Sequence, residues 1–127
     1  ILNACEKERD DLPNSGWVRH TIESAVWGVL TTGSFAEAVV QVVNLGADAD
    51  TAGAVAGALA GAAYGLSGIP KDWVGALRGE WPLGSGCIWS ARRLVELADQ
   101  LVFGKASSSD PGQQCTRIDG DDHEGSE

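Results

Sequence analysis

The residues best suited to chemistry lie in the middle of the chain, in the segment Gly46-Ala47-Asp48-Ala49-Asp50-Thr51. It places two carboxylates and a hydroxyl close together, and a bend after the glycine can turn all three to one side. Hard divalent cations such as Mg²⁺ and Mn²⁺ prefer anionic oxygen ligands of this kind, and three protein oxygens leave coordination positions for water and a substrate. The spacing therefore indicates a metal site with Asp48, Asp50 and Thr51 as candidate ligands.

The same residues also fit a purely structural role at the start of a helix. An aspartate or threonine there is an ordinary N-cap, whose side-chain oxygen accepts a backbone N–H and stabilises the helix by about 1 kcal/mol. A carboxylate in the first turn also interacts favourably with the helix dipole. Spacing alone leaves both interpretations open and favours the cap. An EF-hand is excluded, because the glutamate expected at the twelfth loop position would fall on Leu59.

The elements that must position these residues are predicted to be helices joined by short turns. Apolar residues recur at helical spacing from Val18 to Leu30, with Glu23 on the polar side, and Gly33 follows the end of that helix. A second helix is expected to begin at the capping box Ser34-Phe35-Ala36-Glu37 and to end near Gly46. No β pattern competes, so the sequence predicts an all-α fold.

The helix that follows the acidic segment, expected over residues 52–66, has glycine at every fourth position. Each interior glycine costs about 0.5–1 kcal/mol relative to alanine, so we expect a compensating stripe on which a neighbouring helix packs closely. A membrane span is disfavoured for this uncharged run, because Gly and Ala supply little transfer energy and acidic residues flank one end. The glycines are Gly53, Gly57, Gly61 and Gly65.

Two more helices are expected toward the carboxyl end, over residues 70–77 and 90–102, separated by a Gly- and Pro-rich loop at 80–89. Residues 105–127 are acidic, rich in Ser and Gly and poor in aliphatic side chains, which predicts a disordered acidic tail. The helical domain is therefore expected over residues 1–104. Its last helix is expected to bury Leu94, Leu97, Ala98 and Leu101.

Composition narrows the possible partners. The net charge of −9 argues against binding to nucleic acid or to anionic lipid, because both need clustered cations. Three widely spaced cysteines predict neither a metal-binding pair nor a disulfide framework, which suggests a reducing, cytoplasmic location. The chain begins with Ile1 and contains no methionine, so we expect it to start partway through a longer protein.

The string from Asn44 to Leu66, followed by Ile69-Pro70 and Trp73, resembles the carboxy-terminal signature of the ADP-ribosylglycohydrolase family. The segment from Ser15 to Trp27 is similar to the family sequence just before that signature. The resemblance implies a compact all-α domain, of which this chain is the carboxy-terminal portion and is therefore incomplete. The amino-terminal half of the domain would then be missing from the sequence.

The resemblance also implies a reaction and a site. The family reaction is hydrolysis of the bond between the distal ribose C1 of ADP-ribose and a modified acceptor. A binuclear Mg²⁺ centre (or Mn²⁺) is implied, with Asp48, Asp50 and Thr51 as ligands; the family's amino-terminal acidic cluster and catalytic glutamate have no counterpart here. Gly16 and Trp17 are implied to contact the adenine end, where an indole can stack on the base. A tryptophan that only anchors the first helix is the other interpretation.

The favoured function is therefore a metal-dependent hydrolase that removes ADP-ribose from a protein or a small molecule, with the isolated piece inactive. The alternative is a non-catalytic structural or nucleotide-binding protein of the same helical fold, like the relatives that serve as lens crystallins. The acceptor (Arg, Ser or another group) stays open. His20 has no evident Ser or Cys partner and is expected to cap or pack on the first helix, so no nucleophilic triad is predicted.

Overall fold

The structure is a computed structural model that describes residues 3–13 and 15–104. It is mostly helical, as predicted, and the chain divides after residue 71 into two compact units. The elements of the first unit are α1 (Val18–Thr31), α2 (Phe35–Val43) and α3 (Ala49–Tyr64), with 3-10 turns at Ala4–Glu6, Arg9–Asp11 and Leu66–Gly68. Helix α4 (Lys71–Ala76) begins at the division, and the second unit continues with β1 (Arg78–Glu80), β2 (Ile88–Ser90) and α5 (Ala91–Phe103).

Helix α2 begins as its capping box predicts. The N–H of Glu37 donates to Oγ of Ser34 at 3.2 Å, and the N–H of Gly33 donates to Oε2 of Glu37 at 3.1 Å. The reciprocal bond reaches Gly33, one residue before the position that a standard capping box uses. Together the two bonds fix the point at which the chain leaves α1 and enters α2.

Helices α1 and α2 approach most closely at Gly28. A Cβ built on this buried glycine would overlap Cγ2 of Val42 and lie 3.0 Å from the carbonyl oxygen of Ala38. Only a hydrogen atom fits between the two helices at this point. Val42 is itself fully buried and joins Ala25 of α1 in the core of the first unit.

Helix α3 packs on α1 and α2 through alanines. Ala52, Ala56 and Ala60 are fully buried, and they lie one residue before the successive glycines of the same helix. Small side chains at this spacing let three helix backbones pack together without leaving cavities. The helix ends at Gly65, whose φ of +70° suits a residue without a side chain.

Within the described residues, the close packing predicted for the glycine stripe is found at one of its members and not at the others. A Cβ at Gly57 would meet no heavy atom of the described chain within 4 Å, and one at Gly61 would only touch Phe35 at 4.0 Å. A close neighbour exists at Gly53, where a Cβ would come 2.8 Å from Cγ2 of Val43. The alanine row has the same four-residue period as the glycine row, so the period could not show which row is buried.

The segment before α1 covers the side of that helix that was expected to be polar. The indole N–H of Trp27 donates to the carbonyl oxygen of Lys7 at 3.1 Å, and Ala4 and Leu12 pack with Trp27 in a small core. Nζ of Lys7 lies 2.9 Å from Oε1 of Glu23. Glu23 is buried rather than solvated, which corrects its assignment to the polar face.

Residues 78–90 contain a hairpin where a loop was predicted. Strands β1 and β2 pair antiparallel, with Gly79 opposite Trp89. The N–H of Trp81 donates to the carbonyl of Cys87 at 3.0 Å, and the indole N–H of Trp89 donates to the carbonyl of Trp81 at 3.0 Å. Each strand has three residues, too few to show the alternation by which strands are recognised in sequence.

Helix α5 has the predicted span within one residue at each end but not the predicted burial. It has no buried residue, and its apolar side chains are among the exposed ones, from 39% for Leu97 to 77% for Leu101. The guanidinium of Arg93 stacks over the ring of Trp89 at 4.2 Å. The expected burial of this helix is therefore wrong for the described chain. The residues concerned are Leu94, Leu97, Ala98 and Leu101.

Three further expectations concern the chain as a whole. Cys87 takes part in a disulfide bond, which contradicts the expectation that the cysteines stay reduced. The predicted disordered tail at 105–127 lies outside the described residues. Within the part of the chain that is described, no helix combines the length and the apolar character needed to cross a membrane.

Candidate metal centre

The candidate metal ligands follow a sharp bend between α2 and α3. Gly46 and Ala47 both have positive φ, +76° and +50°. The left-handed region costs a non-glycine residue roughly 1–2 kcal/mol, so Ala47 holds backbone strain. Strain of this kind is often found at functional sites, where the surrounding structure enforces it. After this bend, Asp48 lies at the N-cap position of α3, directly before its first turn.

Asp48 stands at the N-cap position of α3, but its carboxylate does not cap the helix. It makes no side-chain hydrogen bond to the amides of the first turn; the hydroxyl of Thr51 instead donates to Oδ1 of Asp48 at 2.9 Å. The backbone of Asp48 does begin the helix, since its carbonyl accepts from the N–H of Ala52 at 3.1 Å. The capping interpretation therefore fails for the Asp48 side chain.

Asp50 is exposed in the first turn and retains part of the capping role. The pKa of Asp50 lies below its ordinary value. The largest cause is a hydrogen bond from the backbone amide of Thr51; a hydrogen bond with the side chain of Asp48 and one from the amide of Asp50 itself also lower it. The two carboxyl groups are thus close neighbours. Two carboxylates sharing a site repel each other unless a proton or a cation lies between them.

The donor set fits a hard divalent cation. Asp48, Asp50 and Thr51 offer only oxygen, and the structure brings all three together on one turn, as predicted. The hydroxyl hydrogen of Thr51 is directed at Asp48, so the Thr51 oxygen keeps lone pairs for a cation. No group of three or more His, Cys, Asp or Glu side chains within residues 3–13 and 15–104 could hold a metal. Asp48, Asp50 and Thr51 would therefore supply only part of the ligands that a divalent cation needs.

One of the other predicted site residues, Gly16, lies beside this acidic turn. A Cβ built on Gly16 would stand 3.4 Å from Oδ2 of Asp48, so the turn before α1 is in contact with the carboxylate. Trp17 follows at the N-cap position of α1 and is 54% exposed. The guanidinium of Arg19 lies 5.8 Å from the centre of its ring. The structure thus joins two segments that are about thirty residues apart in sequence.

His20 is the residue whose surroundings the sequence did not reveal. Nδ1 of His20 lies 2.8 Å from Oγ of Ser15, a hydrogen bond that the expected capping or packing role of His20 did not specify. Its ring also stands edge-on to Trp17, with centroids 4.7 Å apart and an interplanar angle of 79°. In the sequence, the only indication of this contact is that Ser15 and His20 lie on either side of the start of α1, five residues apart.

Comparison with known proteins shows the family of this chain. Residues 2–111 match the profile of the family described as ADP-ribosylglycohydrolase. The chain is 40% identical over 98 residues to "ADP-ribosylarginine hydrolase Tri1" of Serratia proteamaculans (strain 568), covering 77% of this chain and 24% of that protein. It is 47% identical over 77 residues to the protein of the same name from Pseudomonas putida (strain GB-1), covering 58% of this chain and 21% of that protein.

A third relative is the ADP-ribosyl-(dinitrogen reductase) glycohydrolase of Rhodospirillum rubrum, 41% identical over 64 residues, which are 50% of this chain and 22% of that protein. The chain spans about a quarter of the length of the curated relatives it matches. The family profile covers most of the chain and includes both the Gly16–Trp17 turn and the acidic turn at Asp48. The chain belongs to the ADP-ribosylglycohydrolase family.

Proposed function

We propose that the protein containing this chain is a metal-dependent hydrolase that removes ADP-ribose from a modified acceptor by cleavage at the distal ribose C1. The observation that carries the proposal is the Asp48 carboxylate. It makes no bond to the helix amides, is held by the Thr51 hydroxyl, and lies against the Gly16 turn. A carboxylate that caps nothing but is oriented by a neighbour is suited to bind a ligand.

The names of the relatives support the choice of substrate. Two of them are named ADP-ribosylarginine hydrolase and one is named for ADP-ribosyl-dinitrogen reductase. We therefore propose an ADP-ribosylated protein as the substrate, with arginine as the first acceptor to test. A cytoplasmic location would suit such a substrate, although the disulfide at Cys87 is unusual in a reducing compartment.

Each side chain has a proposed task in this reaction. Asp48, Asp50 and Thr51 would hold one or two Mg²⁺ ions (or Mn²⁺), which supply charge stabilisation and a bound water of lowered pKa. The indole of Trp17 would stack on the adenine, a contact worth about 1–3 kcal/mol. The general acid and base are not assigned to residues of this chain.

The test replaces the two carboxylates in the full-length protein. Asp48→Asn and Asp50→Asn keep the size of each side chain and remove its charge. We expect each to weaken Mg²⁺ binding about tenfold or more in calorimetry and to lower release of ADP-ribose from an ADP-ribosylated arginine peptide at least as much. Asp72→Asn, in the first turn of α4, is the matched control and should change neither quantity.

Two outcomes separate the proposal from its alternatives. If the wild-type protein binds ADP-ribose but never releases it from any acceptor, it is a nucleotide-binding protein of this fold and not a hydrolase. If Asp48→Asn and Asp50→Asn release ADP-ribose at the wild-type rate with unchanged dependence on Mg²⁺, the ligand assignment is wrong.

A further inference from the structure

Ser15 and His20 form a polar pair next to the exposed indole of Trp17. Oγ of Ser15 lies 2.8 Å from Nδ1 of His20, and the N–H of Trp17 donates to the same serine oxygen at 3.4 Å. A hydroxyl can donate one hydrogen and accept two, so both contacts can exist together. Ser15 thereby links the backbone of Trp17 to the imidazole of His20.

His20 contacts Trp17 from two directions. The backbone N–H of His20 donates to the carbonyl of Trp17 at 2.8 Å, and the imidazole stands edge-on to the indole with ring centroids 4.7 Å apart. Edge-to-face packing is a preferred geometry of aromatic pairs. His20 is half-buried, whereas Trp17 keeps 54% of its surface exposed. The indole is thus held by His20, and more than half of its surface stays exposed, with the Arg19 guanidinium 5.8 Å from its ring centre.

A second polar residue holds the same turn. The hydroxyl of Thr21 lies 3.4 Å from the carbonyl oxygens of both Ser15 and Trp17. Between those two residues is Gly16, the residue that faces Oδ2 of Asp48. Glycine loses more backbone freedom on ordering than any other residue, so a turn built around it needs contacts that order it in advance.

We propose that His20 is a positioning residue for ligand binding: together with Ser15 it fixes the turn that orients the indole of Trp17 and that places the backbone of Gly16 beside Asp48. Ordering this turn before the ligand arrives raises affinity, because less freedom is lost on binding. The identity of the ligand, ADP-ribose, rests on the proposed function. The ordering of Trp17 does not, and it can be measured without any ligand.

The test uses variants of the full-length protein that separate the hydrogen bond from the ring contact. Ser15→Ala removes the partner of His20. His20→Phe keeps a ring against Trp17 and loses the bond, whereas His20→Asn keeps a polar group near the position of Nδ1. Ser67→Ala, at an exposed serine of the same unit, is the matched control. Thermal melts identify any variant that does not fold.

Two quantities are measured for each variant. One is the Kd for ADP-ribose by calorimetry. The other is the accessibility of Trp17 to acrylamide, obtained as the difference in fluorescence quenching between the variant and the same variant carrying Trp17→Phe. We expect Ser15→Ala and His20→Phe each to raise Kd about fivefold and to increase quenching of Trp17. The double variant should be no worse than Ser15→Ala alone, because Ser15→Ala already removes the bond to His20. His20→Asn should recover part of the loss.

The results that overturn the proposal are equally definite. Unchanged quenching and unchanged Kd in Ser15→Ala and His20→Phe would show that the pair positions nothing. Losses that simply add in the double variant would show that the two residues act separately. If the wild-type protein does not bind ADP-ribose, the proposed function fails, and the quenching of Trp17 alone then decides whether His20 orders the turn.

Discussion

Thr51 donates its hydroxyl hydrogen to Oδ1 of Asp48 across 2.9 Å, and this bond orients two candidate ligands at once. An aspartate at the start of a helix ordinarily accepts from the amides of the first turn. Here it accepts from a side chain of that turn, and Asp50 interacts with the amides instead. In the first turn of α3, the Asp50 carboxylate therefore interacts with the helix amides, whereas the Asp48 carboxylate is left to contact another group.

Thr51 can be tested separately from the carboxylates. Thr51→Val has the same shape without the hydroxyl, and Thr51→Ser keeps the hydroxyl without the methyl group. We expect Thr51→Val to weaken Mg²⁺ binding about tenfold in calorimetry, because both the oxygen and the orientation of Asp48 are lost, and Thr51→Ser to stay near the wild-type value. Thr31→Val, which removes a hydroxyl bonded to the carbonyl of Trp27, is the control. Equal Mg²⁺ affinity in all three variants would contradict a role for Thr51.

Gly16 offers a test of the contact between the two segments. A methyl group there would lie 3.4 Å from Oδ2 of Asp48, close enough to exclude water or a ligand atom but not close enough to prevent folding. We expect Gly16→Ala to melt within a few degrees of wild type and to bind ADP-ribose several-fold more weakly. Wild-type affinity in a folded Gly16→Ala protein would show that no ligand passes between Gly16 and Asp48.

Two glycines should respond in opposite ways to substitution by alanine. Gly57→Ala adds a methyl group where no described atom lies within 4 Å, so we expect the free energy of unfolding to rise by about 0.5–1 kcal/mol. Gly28→Ala forces a methyl group against Val42 and the carbonyl of Ala38, and should cost about 1–3 kcal/mol. Denaturant unfolding measures both. Destabilisation by Gly57→Ala would indicate that another segment covers this face of α3.

The ion pair of Glu23 and Lys7 predicts a loss of stability in acid. The hydrogen bond from Lys7 lowers the pKa of Glu23, burial raises it, and the charges of Lys7 and Arg19 lower it further, with a net decrease. A carboxyl whose pKa is lower in the folded state adds stability that is fully present above its unfolded pKa. That stability is lost as the pH falls from the ordinary value of 4.5 through the lower folded pKa.

The matched variants are Glu23→Gln and Glu96→Gln. Glu23→Gln should lower the free energy of unfolding by about 1–2 kcal/mol at pH 7, with a difference from wild type that shrinks as the pH falls. Glu96 forms an exposed pair with Arg92 at 3.0 Å, and its replacement should have little effect at any pH. A difference between Glu23→Gln and wild type that is constant from pH 7 to pH 3 would contradict the assignment.

The three helices of the first unit could be predicted because each carries a local signal. The capping box at Ser34 and the period of apolar residues in α1 depend on neighbours a few positions away, which a sequence shows directly. The hairpin at Gly79 and Trp89 could not be predicted, because three-residue strands have no period to detect. Burial was the weakest inference, since Glu23 is covered by a separate segment and Leu101 is exposed.

The candidate site is a prediction at the level of residues, and its geometry could not be predicted. Spacing indicated the candidate oxygen ligands of α3, and the family resemblance indicated Gly16 and Trp17. That Gly16 faces Asp48 is a tertiary contact, and no local pattern reports it. The bond between Ser15 and His20 was missed because it spans a helix start, where the chain direction changes and helical spacing no longer indicates which side chains meet.

The two left-handed residues at Gly46 and Ala47 limit which side chains this bend accepts. Glycine adopts a positive φ without steric cost, whereas a side chain at position 47 meets the Cβ penalty and a β-branched one meets a larger penalty. Replacements at this bend are therefore expected to favour glycine, asparagine or aspartate, whatever the acidic turn after it binds.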